Sequence, residues 1–117
     1  MANNTNIVVF SGNLVRDINI RKVTYGTGDN KIETKVADFT IASNRKDKVT
    51  YLDCTAWDSQ AEYMEKYLNT KGSGLQVVGH LINDNYTDAN GVKQFRMRLA
   101  VESIENHSRK ADESPWA

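Results

Sequence analysis

YLDCTAW, Tyr51 to Trp57, is the stretch whose reading decides the fold. Side chains alternate along a strand, so Leu52, Cys54 and Ala56 share one face. Tyr51, Asp53, Thr55 and Trp57 share the other. The first set suits a core. The second puts two large aromatics beside an acid and a hydroxyl, on the side a soluble sheet turns to water. Either this is a strand with its rings on a working surface, or the rings are covered by something else.

The bounds around this strand are ordinary. The chain has 117 residues, 39% hydrophobic and 26% charged, enough for one domain with its own core. No apolar run reaches the length of a membrane span, and MANNTNIVVFSGN lacks the basic start of a signal peptide. Cys54 is the single cysteine. It has no disulfide partner in the chain and no metal cluster around it, and it reads as a small buried hydrophobe. Fifteen basic and fifteen acidic residues leave no net charge. A polyanionic partner therefore requires charge segregated in space, with cations in a groove and acids elsewhere on the assembly.

Outward from Tyr51, the period of two persists on both sides. NIVVFSGNLV (Asn6–Val15) is a β-branched strand with Gly12 marking a bend. INIRKVTY (Ile18–Tyr25) is a second extended piece. GTGDN (Gly26–Asn30) is a turn, and TKVADFTIAS (Thr34–Ser43) alternates with Ala37, Phe39 and Ile41 inward. NRKDK (Asn44–Lys48) reads as a basic loop. After Trp57 the period changes. Asp58–Gly72 opens on a capping residue and closes at glycine, with Ala61, Met64, Tyr67 and Leu68 at helical spacing. Tyr63 and Tyr67, four apart, read as helix-packing residues. Alternation returns in LQVVGHLINDNY (Leu75–Tyr86). TDANG (Thr87–Gly91) is a hairpin turn, and VKQFRMRLAVESI (Val92–Ile104) follows. There Phe95, Met97, Leu99 and Val101 are expected inward, and Gln94, Arg96, Arg98 and Glu102 outward. Strands with one helix between late members predict an all-β chain forming a small closed barrel.

Side by side, the outward faces share a chemistry. Tyr51, Trp57 and Tyr86 are flat rings, joined by Val78 and Ile82. Arg45, Lys46, Lys48, Arg96 and Arg98 are cations. Rings interleaved with cations suit unpaired nucleic acid, whose bases stack on aromatics while its phosphates need positive charge. A cover under the helix or in an oligomer interface uses the same residues, with Val78 and Ile82 favouring a subunit contact. A nuclease is the third class considered. It needs clustered carboxylates holding a divalent ion, whereas Asp17, Asp38, Asp53, Asp84 and Asp88 are scattered, so no metal, cofactor or catalytic residue is expected.

Five segments resemble one family. GNLVRD (Gly12–Asp17), FTIASNR (Phe39–Arg45), YLDCTAW with AEYMEKYLNTKG, VVGHL (Val77–Leu81) and YTDANG (Tyr86–Gly91) are similar, in order and spacing, to the bacterial and phage single-stranded DNA-binding proteins of OB-fold type. The resemblance covers about residues 6–104. It implies a five-stranded OB-fold Greek-key barrel with one α-helix between strands and extended β-hairpin loops, over residues 1–105. It implies sequence-tolerant coating of single-stranded DNA in replication, recombination and repair, without enzymatic activity, in the bacterial cytoplasm. A homotetramer is implied, with a dimer as the alternative. The family's stacking aromatics fall on Tyr51, Trp57 and Tyr86. Arg16 and Arg21 join Arg45, Lys46, Lys48, Arg96 and Arg98 as expected DNA contacts.

The departures are specific. SNRKD lacks an aromatic that the family commonly has, and Arg45 or Lys46 stands in by charge or guanidinium stacking. Asp53, between the two stackers, is expected either to pair with an arginine such as Arg96 or Arg98 or to limit a phosphate's approach. Residues 106–117 are expected to form a short tail. Its DESPWA ending resembles a degenerate form of the family's partner-recruiting tip, through Asp112, Glu113, Pro115 and Trp116. So short a tail suggests a phage- or plasmid-borne member. A primosomal-type OB accessory protein, a dimer acting mainly through protein partners, is the alternative function. It fits less well, because such relatives tend to lack the helix.

Overall fold

A computed structural model describes residues 3–108. The elements are β1 (Val8–Leu14), β2 (Asn19–Tyr25), β3 (Ile32–Arg45), β4 (Lys48–Trp57), α1 (Ser59–Tyr67), β5 (Gly74–Asn83), β6 (Tyr86–Thr87), β7 (Lys93–Gln94) and β8 (Met97–Asn106). One sheet runs in the order β1-β5-β8-β4-β3-β2, and β1 also pairs with β3 through Asn13↔Ala42 and Leu14↔Ile41. That second pairing closes the sheet. β1 and β2 lie successively along β3 as two parts of one bent strand, so the barrel has five staves in Greek-key order. The expected all-β OB-type barrel with one helix is what forms.

Two glycines make closure geometrically possible. A Cβ on Gly12 would overlap the carbonyl of Ala42, where β1 leaves β5 for β3. A Cβ on Gly79 would overlap the carbonyl of Ala100, at the register shift between Val78 and Gly79 in the β5–β8 ladder. A bulge increases local bend and twist, and here it turns the barrel's corner.

The core follows the alternation in the central strands. Ala37, Phe39 and Ile41 of β3, Cys54 and Ala56 of β4, Leu75 and Val77 of β5, and Leu99 and Val101 of β8 are all buried. Burial pushes the Cys54 thiol up to about 12, Asp53 adds to the rise, and Arg98 opposes it. The thiol is therefore inert at neutral pH, as a small core hydrophobe should be.

The helix plugs the barrel with Ala61, Met64 and Leu68. Nine residues make a marginal helix alone. Burying Met64 and Leu68 contributes about 1.5–3 kcal/mol each, and that packing outweighs local propensity. The helix ends earlier than the expected Gly72. The backbone after it is committed elsewhere: Gly72 N–H donates to the Leu14 carbonyl, and Ile18 N–H donates to the Asn69 carbonyl. Asp17 accepts the Lys71 N–H. These bonds tie the helix exit to the β1–β2 bend.

Other expectations are corrected. Tyr63 and Tyr67 pack on each other along the helix, ring centroids 5.0 Å apart, but on its exposed side rather than in the core. NRKDK is not a loop: β3 and β4 pair out to Arg45↔Lys48, leaving Lys46 and Asp47 as a tight turn, with Lys46 at φ 58°. Phe95 and Met97 do not point into the core; both are exposed. β8 still pairs with β5 at Met97 and Arg98, but it is buried only from Leu99 onward, because this end of the ladder runs past the core toward the β6–β7 hairpin.

Candidate functional site

β4 carries the site's centre. Its inward residues are fixed by the core, so its outward residues are fixed too. Tyr51 stands opposite Ala42 and is 65% exposed. Trp57 stands opposite Val36 and is 38% exposed. Six residues of strand separate them by about 20 Å. Small neighbours such as Ala42 leave the Tyr51 ring face uncovered, and nothing in the core competes for it.

Tyr86 comes from the β6–β7 hairpin, beyond the barrel wall. It pairs with Gln94, and the Arg96 guanidinium lies 4.7 Å from its ring centroid. The turn is built by Asp88, whose carboxylate accepts the N–H groups of Asn90 and Val92 while its other oxygen takes the Gln94 amide. At the base of the hairpin, Arg96 and Arg98 both donate to Asp84 Oδ2, at 2.9 and 3.2 Å.

Between the rings runs a chain of fixed charges. Asp38 accepts Arg21 Nε at 2.7 Å and the Thr55 hydroxyl at 2.9 Å. Arg98 reaches Asp38 at 3.6 Å and also donates to the Cys54 carbonyl and Thr55 Oγ1. Arg16 donates to Thr40 Oγ1, which donates to Asp53 at 2.6 Å. Asp53 therefore takes a threonine hydroxyl and pairs with neither Arg96 nor Arg98. The expected segregation also fails: Asp38, Asp53 and Asp84 lie on the groove wall itself, interleaved with arginines. Acids scattered in sequence are gathered by the barrel, each beside a cationic or hydroxyl donor. Among the described residues, no group of three His, Cys, Asp or Glu is placed to hold a metal ion.

The expected cations thus divide. Arg98 is largely covered and committed to internal contacts. Arg21 and Arg96 are paired but half exposed. Arg45, Lys46 and Lys48 sit at the exposed β3–β4 turn, without a carboxylate partner among the described residues. Val78 lies opposite Val9 of β1, on wall two strands away from β4, and does not join the groove. Ile82 is half-buried opposite Arg98. Asp112, Glu113, Pro115 and Trp116 lie outside the described residues.

Sequence reasoning missed Phe95, the most exposed large apolar residue at 77%. Counting alternation back from Leu99 put it inside. The warning was the ANG turn four residues earlier, which places Phe95 on a short hairpin with no core beneath it.

The hairpin's geometry depends on pH. Burial raises the Asp84 carboxyl, but hydrogen bonds and charge from Arg98 and Arg96 more than offset this and hold it below the usual carboxylate value. Asp88 is lowered mainly by the Val92 N–H and the Gln94 amide. A carboxyl depressed in the folded state contributes stability above its unfolded pKa of about 3.9. That contribution is lost as pH falls through the folded value. Asp84→Asn is therefore expected to be less stable than wild type at pH 7, with the gap closing toward pH 3 in urea titrations. A gap constant across that range would show that Arg96 and Arg98 do not depend on the charge of Asp84.

A Greek-key barrel of OB type, with exposed rings and arginine–aspartate pairs along one wall, defines a class of nucleic-acid-binding modules. The Single-strand binding protein family matches residues 5–107, and the chain belongs to it. It is similar to a "Single-stranded DNA-binding protein" of Thermus aquaticus, 30% identical over 104 residues, which cover 89% of this chain and 38% of that protein. A Deinococcus radiodurans protein of the same description is 31% identical, over 95% of this chain and 37% of its own. One from Helicobacter hepaticus is 29% identical, over 95% and 67%. The chain thus spans well under half the length of the Thermus and Deinococcus relatives.

Proposed function

We propose that the chain binds single-stranded DNA without sequence preference, coating it during replication, recombination and repair, with no reaction catalysed. The observation that carries the reading is the outward placement of Tyr51, Trp57 and Tyr86 around one wall. Every base has a π-face, so stacking tolerates any sequence, and duplex DNA hides those faces. Phosphate contact falls to Arg45, Lys46 and Lys48, with Arg16, Arg21 and Arg96 able to offer their outer N–H groups. Arg98 acts by holding Asp84 and Asp38, and so the hairpin, in place. Because most groove arginines already face aspartates, stacking supplies more of the affinity than charge does.

Assembly into a homotetramer in the bacterial cytoplasm belongs to the same reading. Among the described residues, nothing pairs with the outer edge of Val8–Gly12, and Ile7 and Val9 are exposed beside it. An unpaired strand edge flanked by apolar side chains is a template for pairing with another copy. Recruitment of replication and repair proteins is assigned to Asp112, Glu113, Pro115 and Trp116. No helix among the described residues is long and apolar enough to cross a membrane.

The test is a titration with oligo-dT, following tryptophan fluorescence against a Trp57→Phe control, alongside a solution mass. Strong quenching that requires Trp57 is expected. The turn cations Arg45, Lys46 and Lys48 alone give an expected slope of log affinity against log salt of roughly −2 per subunit engaged. Absence of quenching, or equal affinity for duplex DNA, would overturn the proposal.

A further inference from the structure

The β6–β7 hairpin has two faces, and the proposed function uses one of them. Tyr86 and Gln94 pair directly and share the face that Arg96 covers. Thr87 pairs with Lys93 and points the other way. Phe95, one residue past Gln94, falls on the Lys93 side. Asn85, Tyr86, Thr87, Lys93 and Phe95 line a hollow of about 240 Å³ there.

We infer that this second face is a base-stacking subsite, so that a DNA strand stacked on Tyr86 continues around the hairpin and lays a further base on Phe95. This rests on the single-stranded DNA reading above. Three features match the parts of a nucleotide. Phe95 is largely in water, so its ring is available to a base. Lys93 has no carboxylate within ion-pair distance among the described residues and can meet a phosphate. The Asn85 amide offers a donor and an acceptor to a base edge without selecting one base. Tyr86 borders both faces, which makes the subsite continuous with the groove. An isolated phenyl ring in water on a short hairpin gives nothing to the barrel's core, so its position is explained by an occupant. A nucleotide accounts for the ammonium and the amide as well as the ring, whereas an apolar contact from another copy accounts for the ring alone.

The experiment compares Phe95→Ala, Phe95→Leu and Phe95→Trp with wild type on an oligo-dT length series, by anisotropy of labelled strands. On the shortest strands that bind, all four proteins are expected to agree. On longer strands Phe95→Ala and Phe95→Leu are expected to lose roughly 5- to 100-fold, the value of one stack, while Phe95→Trp keeps wild-type affinity. Wild type failing to bind any strand would sink the function and this subsite together. Wild-type binding with all four proteins equal at every length would sink the subsite alone. If Phe95→Leu behaves as wild type while Phe95→Ala lowers the solution mass, Phe95 is a contact between copies and the inference is wrong.

Discussion

Replacing Trp57 and Tyr86 together by Ala is expected to weaken oligo-dT binding by on the order of 30- to 10,000-fold, from two stacks of about 1–3 kcal/mol each. The rings sit on different elements, Trp57 at the end of β4 and Tyr86 on the β6–β7 hairpin. They share no partner, so their single effects should add. Tyr86 is exposed and off the barrel, so its loss should leave the melting temperature unchanged; Trp57 is only 38% exposed and stands opposite buried Val36, so its loss should lower the melting temperature modestly without unfolding the barrel. Trp57→Phe and Tyr86→Phe should keep most of the affinity, because a phenyl ring still stacks. Labelled-strand anisotropy is the suitable readout, since the double variant loses the reporting indole. The salt slope is a second readout: it should persist in the double variant, whose turn cations Arg45, Lys46 and Lys48 are untouched. A well-folded double variant with wild-type affinity would move the binding surface off this wall.

The fold was legible where one face of a strand is buried. Leu52, Cys54 and Ala56 pin the phase of β4, and that phase alone puts Tyr51 and Trp57 outside. The same logic holds for Phe39 and Ile41 in β3. It breaks down where a strand outruns the core. Met97 and Phe95 continue the phase of Leu99, but no opposite wall covers them, and alternation has nothing to report there. The turn at Lys46–Asp47 was hidden because neither residue is a glycine or asparagine, although the chain still reverses. The early end of α1 was equally hidden, because it is set by backbone bonds to Leu14 and Ile18, far away in sequence. Site charges were the least legible part. Asp38 and Asp84 look unrelated until Arg98 spans them, and the partner of Asp53, Thr40, follows only from the β3–β4 register. A side chain's face is a local property of a strand, whereas its ionic partner is a property of the closed barrel.

Gly79→Ala tests the closure itself and is expected to cost about 3 kcal/mol, a fall in melting temperature of roughly 10 °C or more. Gly79 does not have the positive φ of Gly26, Gly28, Gly72 and Gly91, so the penalty is not one of backbone conformation. It is steric: the added methyl would occupy the position of the Ala100 carbonyl, with a Leu99 methyl close beside it. Neither neighbour can step aside cheaply, because Ala100 is held in the β5–β8 ladder and Leu99 is fully buried. The ladder must part at its bulge, exposing Val77 and Leu99 together. Gly91→Ala is the control. Its φ is 78° and nothing lies near a Cβ there, so it carries only the conformational cost, about 1 kcal/mol. Thermal unfolding of the two variants side by side separates the mechanisms. If Gly79→Ala melts no lower than Gly91→Ala, close approach of β5 and β8 is not what holds the barrel shut. If it melts far lower while retaining oligo-dT affinity well below the transition, then the wall bearing Tyr51 and Trp57 tolerates strain at the opposite corner, and the site is carried by β3 and β4 with the hairpin.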